Sequence, residues 1–140
     1  GRNSPVYSGY GDVEIKGNVK VTAQEGSGAA YGVYAYQNIV IEGNADVTNP
    51  GGYGLYASTG SVTIQGDAKI TGTGTNMTAA VSASESITIN GDAEITNLDG
   101  YGLYAGNGSL TVTGDVTGSA KESVLRGRMR SVRLKFLMRL

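Results

Sequence analysis

The chain has 140 residues with eleven cationic and twelve anionic side chains, 23 glycines, and no His, Cys or Trp. Without imidazole or thiol it has no histidine- or cysteine-ligated metal, disulfide, thiolate nucleophile or Ser-His-Asp triad, so carboxylates, hydroxyls, Lys and Arg are its only reactive groups. Charge divides unevenly: residues 1–120 carry four cations (Arg2, Lys16, Lys20, Lys69) and eleven anions, residues 121–140 seven cations and one anion, joining an acidic body to a basic end.

Taken in chain order, Gly1-Arg2-Asn3-Ser4-Pro5 lacks the apolar core of a signal peptide, and no stretch approaches the roughly 18 apolar residues of a membrane span. An excised fragment or a mature segment is expected. A repeat then begins with Val13-Glu14-Ile15-Lys16-Gly17-Asn18 and returns as Ile39-Val40-Ile41-Glu42-Gly43-Asn44, Val62-Thr63-Ile64-Gln65-Gly66-Asp67, Ile87-Thr88-Ile89-Asn90-Gly91-Asp92 and Leu110-Thr111-Val112-Thr113-Gly114-Asp115. Between these copies stand Tyr31-Gly32-Val33-Tyr34-Ala35, Tyr53-Gly54-Leu55-Tyr56-Ala57, a decayed Ala79-Ala80-Val81-Ser82-Ala83, and Tyr101-Gly102-Leu103-Tyr104-Ala105.

Apolar residues alternate within each copy, which is the period of a strand with one buried face. A unit of three short strands cannot bury that face alone, but stacked units share a continuous core. The expected fold is all-β, a single-stranded parallel β-helix (β-solenoid) of about five coils of 22–26 residues, spanning residues 1–120, with a degenerate coil or cap at 121–140. Aligning the copies predicts four apolar columns: Val13, Ile39, Val62, Ile87, Leu110; Ile15, Ile41, Ile64, Ile89, Val112; Val19, Ala45, Ala68, Ala93, Val116; and Val33, Leu55, Val81, Leu103. An outward column, Lys20, Asp46, Lys69, Glu94, alternates in sign, so that neighbours attract. The corner glycines are expected to supply positive φ, with the adjacent Asn or Asp tolerating the same region. Extra residues fall at corners around 24–29 and 73–78.

The basic end admits three readings. An offset of 22 residues places Leu125 under Leu103 and Val132 under Leu110, making a decayed sixth coil. Leu125, Met129, Val132, Phe136 and Leu140 also fall at helical spacing, which suits a helical cap, although Gly127 and two valines weigh against one. A disordered tail is the third reading.

In these motifs the chain resembles the right-handed parallel β-helix (pectate-lyase-like) repeat segments of secreted and wall-attached bacterial surface proteins, over roughly residues 10–118. The resemblance implies right-handedness and an extracellular or cell-wall-attached setting. Its motif residues are core and corner positions and say little of activity; the residues themselves lead to the expectation of a non-catalytic stalk or adhesin module with no cofactor. The Arg-rich end departs from that family's pattern.

Tyr34, Tyr56 and Tyr104 are expected to form an outward column, interrupted at Ser82, for which stacking on sugar rings of a cell-surface or host polysaccharide is the second reading beside a structural one. The structural alternative is that the rings stack on each other, or that Tyr31, Tyr53 and Tyr101 fill a wide corner of the core. Asp67, Asp92 and Asp115 stack as like charges that calcium would relieve, but one column offers too few ligands and Asn18 and Asn44 share it, so a turn role is expected. No carboxylate pair is marked for glycoside hydrolysis, and Lys16, Lys20 and Lys69 fit salt bridges better than lyase chemistry; no enzyme is expected. Thr63, Thr88 and Thr111 resemble the threonine ladders of ice-binding solenoids, but the column is one Thr wide and continues as Val40 and Glu14. Arg126, Arg128, Arg130, Arg133, Lys135 and Arg139 suit a polyanion, or a homo-oligomer in which the basic end meets the acidic body of another copy. Sequence-specific nucleic-acid binding is not expected.

Overall fold

The structure is a computed structural model that describes residues 6–22, 31–48, 52–72, 79–98, 101–120, 125–130 and 133–138, with backbone alone at 97–98, 119–120, 125–130 and 133–138. The first coil holds β1 (Val6–Ser8), β2 (Val13–Ile15) and β3 (Val19–Thr22). The second holds β4 (Tyr31–Ala35), β5 (Ile39–Ile41) and β6 (Ala45–Thr48), and the third β7 (Tyr53–Ala57), β8 (Val62–Ile64) and β9 (Ala68–Thr71). The fourth holds β10 (Ala79–Ala83), β11 (Ile87–Ile89) and β12 (Ala93–Leu98). In the fifth, two strand positions run together as β13 (Tyr101–Val112), followed by β14 (Asp115–Ala120). The basic end adds β15 (Leu125–Arg130) and β16 (Arg133–Met138).

Each strand pairs in parallel with the equivalent strand one coil away, so the chain is a parallel β-solenoid with about four turns separating β1 from β13. Two of the three stacks merge into one ten-stranded sheet because β13 pairs with both β10 and β11; the third stack is the six-stranded sheet β16-β14-β12-β9-β6-β3. All four apolar columns stand in the register expected of them. Ile39, Ile41, Ile64, Ile87, Ile89, Leu55, Leu103 and Leu110 are fully buried, and each contributes on the order of 1.5–3 kcal/mol by leaving water.

The corners are held differently from the expectation. Gly118, at φ 147°, is the glycine with positive φ among the described residues; a Cβ there would run into the Ile95 carbonyl, beside the register shift between β12 and β14. Gly43, Gly66, Gly91 and Gly114 are needed for lack of space. A Cβ at Gly91 would overlap Asp67 Oδ1 and lie 2.7 Å from the Gly66 carbonyl oxygen, and the other three positions repeat this arrangement one coil away.

Those corner oxygens form a ladder. Asn44 N donates to Asn18 Oδ1 (2.7 Å), Asp67 N to Asn44 Oδ1, Asp92 N to Asp67 Oδ1 and Asp115 N to Asp92 Oδ1 (each 2.8 Å). A second corner carries its own ladder: Asn38 N donates to Asp12 Oδ1 (2.9 Å), Ser61 N to Asn38 Oδ1 (2.9 Å), Ser86 N to Ser61 Oγ (3.2 Å) and Ser109 N to Ser86 Oγ (3.0 Å). The corner backbone is paired as well, with Gly66 N on Gly43 O and Gly91 N on Gly66 O, both at 3.0 Å. A turn whose amides are all claimed by the neighbouring coil leaves few buried polar groups unpaired.

At the basic end the backbone is extended at 125–130 and 133–138, as the sixth-coil reading expects and the helical one does not. The constant offset of 22 is overturned, however. Leu125 does lie beside Leu103, but the register shifts between Tyr104 and Ser109, so Met129 and not Val132 pairs with Leu110. Leu134 takes the column of Val116, and Met138 pairs with Ala120. The offset thus falls from 22 residues at Leu103/Leu125 to 19 at Leu110/Met129 and 18 at Val116/Leu134. Val132, Arg139, Leu140 and the corner segments 24–29 and 73–78 lie outside the described residues.

Candidate functional site

The tyrosines gather on the stack β1-β4-β7-β10-β13. Backbone register aligns Tyr7, Tyr34, Tyr56, Ser82, Tyr104 and Arg126 in one column, and Tyr31, Tyr53, Ala79 and Tyr101 in a second. Tyr31 and Tyr34 share the outer side because Gly32 and Val33 between them both turn inward; a Cβ at Gly32 would sit 2.6 Å from Val47 Cγ1 and 2.7 Å from the Gly54 carbonyl oxygen. The motif therefore projects two half-buried rings per coil instead of one.

Five of these rings make a continuous cluster. Tyr7 and Tyr34 stack at 4.8 Å between centroids, Tyr31 and Tyr53 at 5.6 Å, and Tyr34 meets Tyr56 edge-on at 5.8 Å. Tyr34 is thus flanked by Tyr7 on one side and Tyr56 on the other, so the expected open ring face is largely taken by neighbouring tyrosines there. Desolvation, followed by the neighbouring phenols, holds the Tyr31 hydroxyl above the ordinary tyrosine range.

The cluster stops where the repeat decays. Ala79 and Ser82 replace both rings of the fourth coil, leaving a cleft of about 240 Å³ lined by Tyr53, Tyr56, Ala79, Ser82, Tyr101 and Tyr104. Its walls are two ring pairs, Tyr53–Tyr56 at 4.3 Å and 49° and Tyr101–Tyr104 at 5.2 Å and 60°. A more polar concavity lined by Gln37, Asn38, Thr59, Gly60, Ser61 and Glu85 lies along the second corner.

The remaining columns stand as aligned, with plainer chemistry. Asp67 and Asp92 each spend one carboxylate oxygen on the amide of the next coil. Among the described residues no group of three or more carboxylates converges on a metal position. Glu14, Val40, Thr63, Thr88 and Thr111 are in register and Arg130 follows. Lys20, Asp46, Lys69 and Glu94 are likewise aligned, but the salt bridges among the described residues are elsewhere, from Lys16 Nζ to Glu14 (2.6 Å) and Glu42 (3.0 Å). The hydrogen bonds that the Lys16 ammonium donates to these two carboxylates, Glu14 first, hold its pKa above the usual range. Arg126, Arg128, Arg130, Arg133 and Lys135 are placed by backbone on β15 and β16, and Arg139 lies outside the described residues.

No family model matches the chain, and no curated protein or solved structure matches it either. Two site features had escaped the sequence reading: Tyr7 as a member of the tyrosine column, and the cleft. The signal for the cleft was present in Ala79-Ala80-Val81-Ser82-Ala83, whose small residues replace both tyrosines together.

Proposed function

We propose that the chain is a non-catalytic structural or display segment, a stalk or adhesin module of a bacterial extracellular or cell-wall-attached surface protein. The observation that supports this most is the pair of side-chain ladders, which fasten the first five coils to one another at two corners and so resist bending and shear. The absence of native cysteine allows a clean test with spin labels at Glu14→Cys and Thr111→Cys. These positions are in one column, four strand spacings or about 19 Å apart. A rigid spacer gives one narrow distance distribution near that value plus the label arms; a broad or multiple distribution overturns it. Antibody labelling of intact cells of the encoding organism tests the setting, and labelling only after lysis overturns an extracellular role.

A second reading, carbohydrate binding by the tyrosine face, is favoured by one observation: the rings are half-exposed and open onto a cleft with no charged lining residue. Such a surface offers C–H stacking and hydroxyl partners together.

A further inference from the structure

We propose that the cleft over Ala79 and Ser82 is a subsite for one neutral pyranose ring of a polysaccharide, inserted between the walls where the missing tyrosine pair would lie. This rests on the carbohydrate reading above and narrows it: the binding unit is the gap in the tyrosine column, not the column.

The geometry sets the thickness of the occupant. β7 and β13 flank β10, so the backbones that carry the two walls are two strand spacings apart, about 9.6 Å. A flat ring in contact with both walls at about 3.5–4.0 Å per side needs about 7–8 Å. The remaining 2 Å or so suits the puckered thickness of a chair better than a planar aromatic ring. Along the rest of the column the rings already touch, with 4.8 Å between Tyr7 and Tyr34, and nothing of that thickness enters.

The lining sets the chemistry. Four phenol rings present faces and edges to C–H bonds, while their hydroxyls and Ser82 supply donors and acceptors for sugar hydroxyls. No lining residue carries charge, so a uronate would lose hydration in the cleft without gaining a cation. The floor is firm: Val81 and Ala83 are buried on either side of Ser82, and Ala79 and Ala80 are buried with them.

The test is affinity gel electrophoresis of the full chain in soluble glucan, galactan, mannan and xylan, with polygalacturonate as the charged comparison. Ser82→Tyr restores the column and fills the cleft. The expected result is retention of the native chain in at least one neutral polymer, with Ser82→Tyr weakening it about ten-fold or more, equivalent to losing one or two ring contacts. If Ser82→Tyr binds as well or better, the column is the site and the cleft proposal fails. If the native chain is retained by none of the neutral polymers, both the cleft and the carbohydrate reading fail. Tyr104→Ala removes one wall without adding volume and covers the case in which Ser82→Tyr does not fold. It is expected to weaken retention while the melting temperature stays near native, and undiminished retention also overturns the cleft.

Discussion

The two corners of the solenoid do the same work with different tolerance. At one, Gly17, Gly43, Gly66, Gly91 and Gly114 precede Asn or Asp without exception; at the other the equivalent positions are Gly11, Gln37, Gly60, Glu85 and Gly108. Both fasten the amide of one coil to a side-chain oxygen of the coil before. At the second corner, though, the acceptor beneath Gln37 is Asp12 Oδ1, shared between Asn38 N and Nδ2 at 2.9 and 3.0 Å. The acceptor beneath Glu85 is Ser61 Oγ, on a shorter side chain and at 3.2 Å from Ser86 N. The backbones approach equally at both, with Gln37 N to Gly11 O and Glu85 N to Gly60 O at 3.0 Å as for Gly66 N to Gly43 O. The two corners therefore differ in the side-chain acceptor beneath and not in how closely successive coils approach.

The largest effect should come from crowding the tight corner. Gly91→Ala must move Asp67 Oδ1 and the Gly66 carbonyl, and is expected to cost about 2–3 kcal/mol by denaturant unfolding. Gly60→Ala faces a similar approach to Asn38 Oδ1 and the Gln37 carbonyl oxygen, yet its corner already accepts side chains at two positions, so about 1 kcal/mol is expected. Equal losses would break the distinction between the corners. Next in size, Asp67→Ala strips the acceptor from Asp92 N and should cost about 1 kcal/mol. Asp67→Asn keeps the acceptor and should change stability by less than about 0.5 kcal/mol, as expected where Asn18 and Asn44 already serve. A large loss from Asp67→Asn would show that charge, not the ladder, matters there.

The smallest effect separates the corners from the tyrosine face. Folding raises the pKa of Tyr31, so the folded state holds its proton more tightly than the unfolded chain, whose tyrosines titrate near pH 10. The stability from that group is complete below about pH 10 and is lost as pH rises through the higher folded value. Tyr31→Phe should flatten the alkaline decline in melting temperature, while Asp67→Asn should leave it unchanged.

Strand alternation and repeat spacing made four core columns legible between Val13 and Val116, but the equally buried columns Val21, Val47, Ile70, Ile95 and Ala35, Ala57, Ala83, Ala105 were not among those named. The glycines were legible as important but for the wrong reason. Positive φ is a property of one residue, whereas the real constraint is an overlap with residues 22–26 positions earlier, which exists only once the coils are stacked. The basic end failed similarly: Leu125 under Leu103 suggested one offset, but the shift after Tyr104 lies in the pairing and leaves no mark in the alternation of residues. The cleft was visible as a decayed motif but was read as an interruption of a site, because an absence of rings becomes a shape only between two walls.

The ladders also bear on how such a chain changes length over generations. Each unit carries both the oxygen that the following unit needs and the amide that the preceding one receives. Duplication or deletion of one whole unit at the DNA level therefore joins compatible ends. Because the ladder bonds already span 26, 23, 25 and 23 residues, small length changes between strands are absorbed, whereas an insertion within a strand shifts its apolar column. The reach of this molecule can accordingly be lengthened in whole coils without a new contact having to evolve.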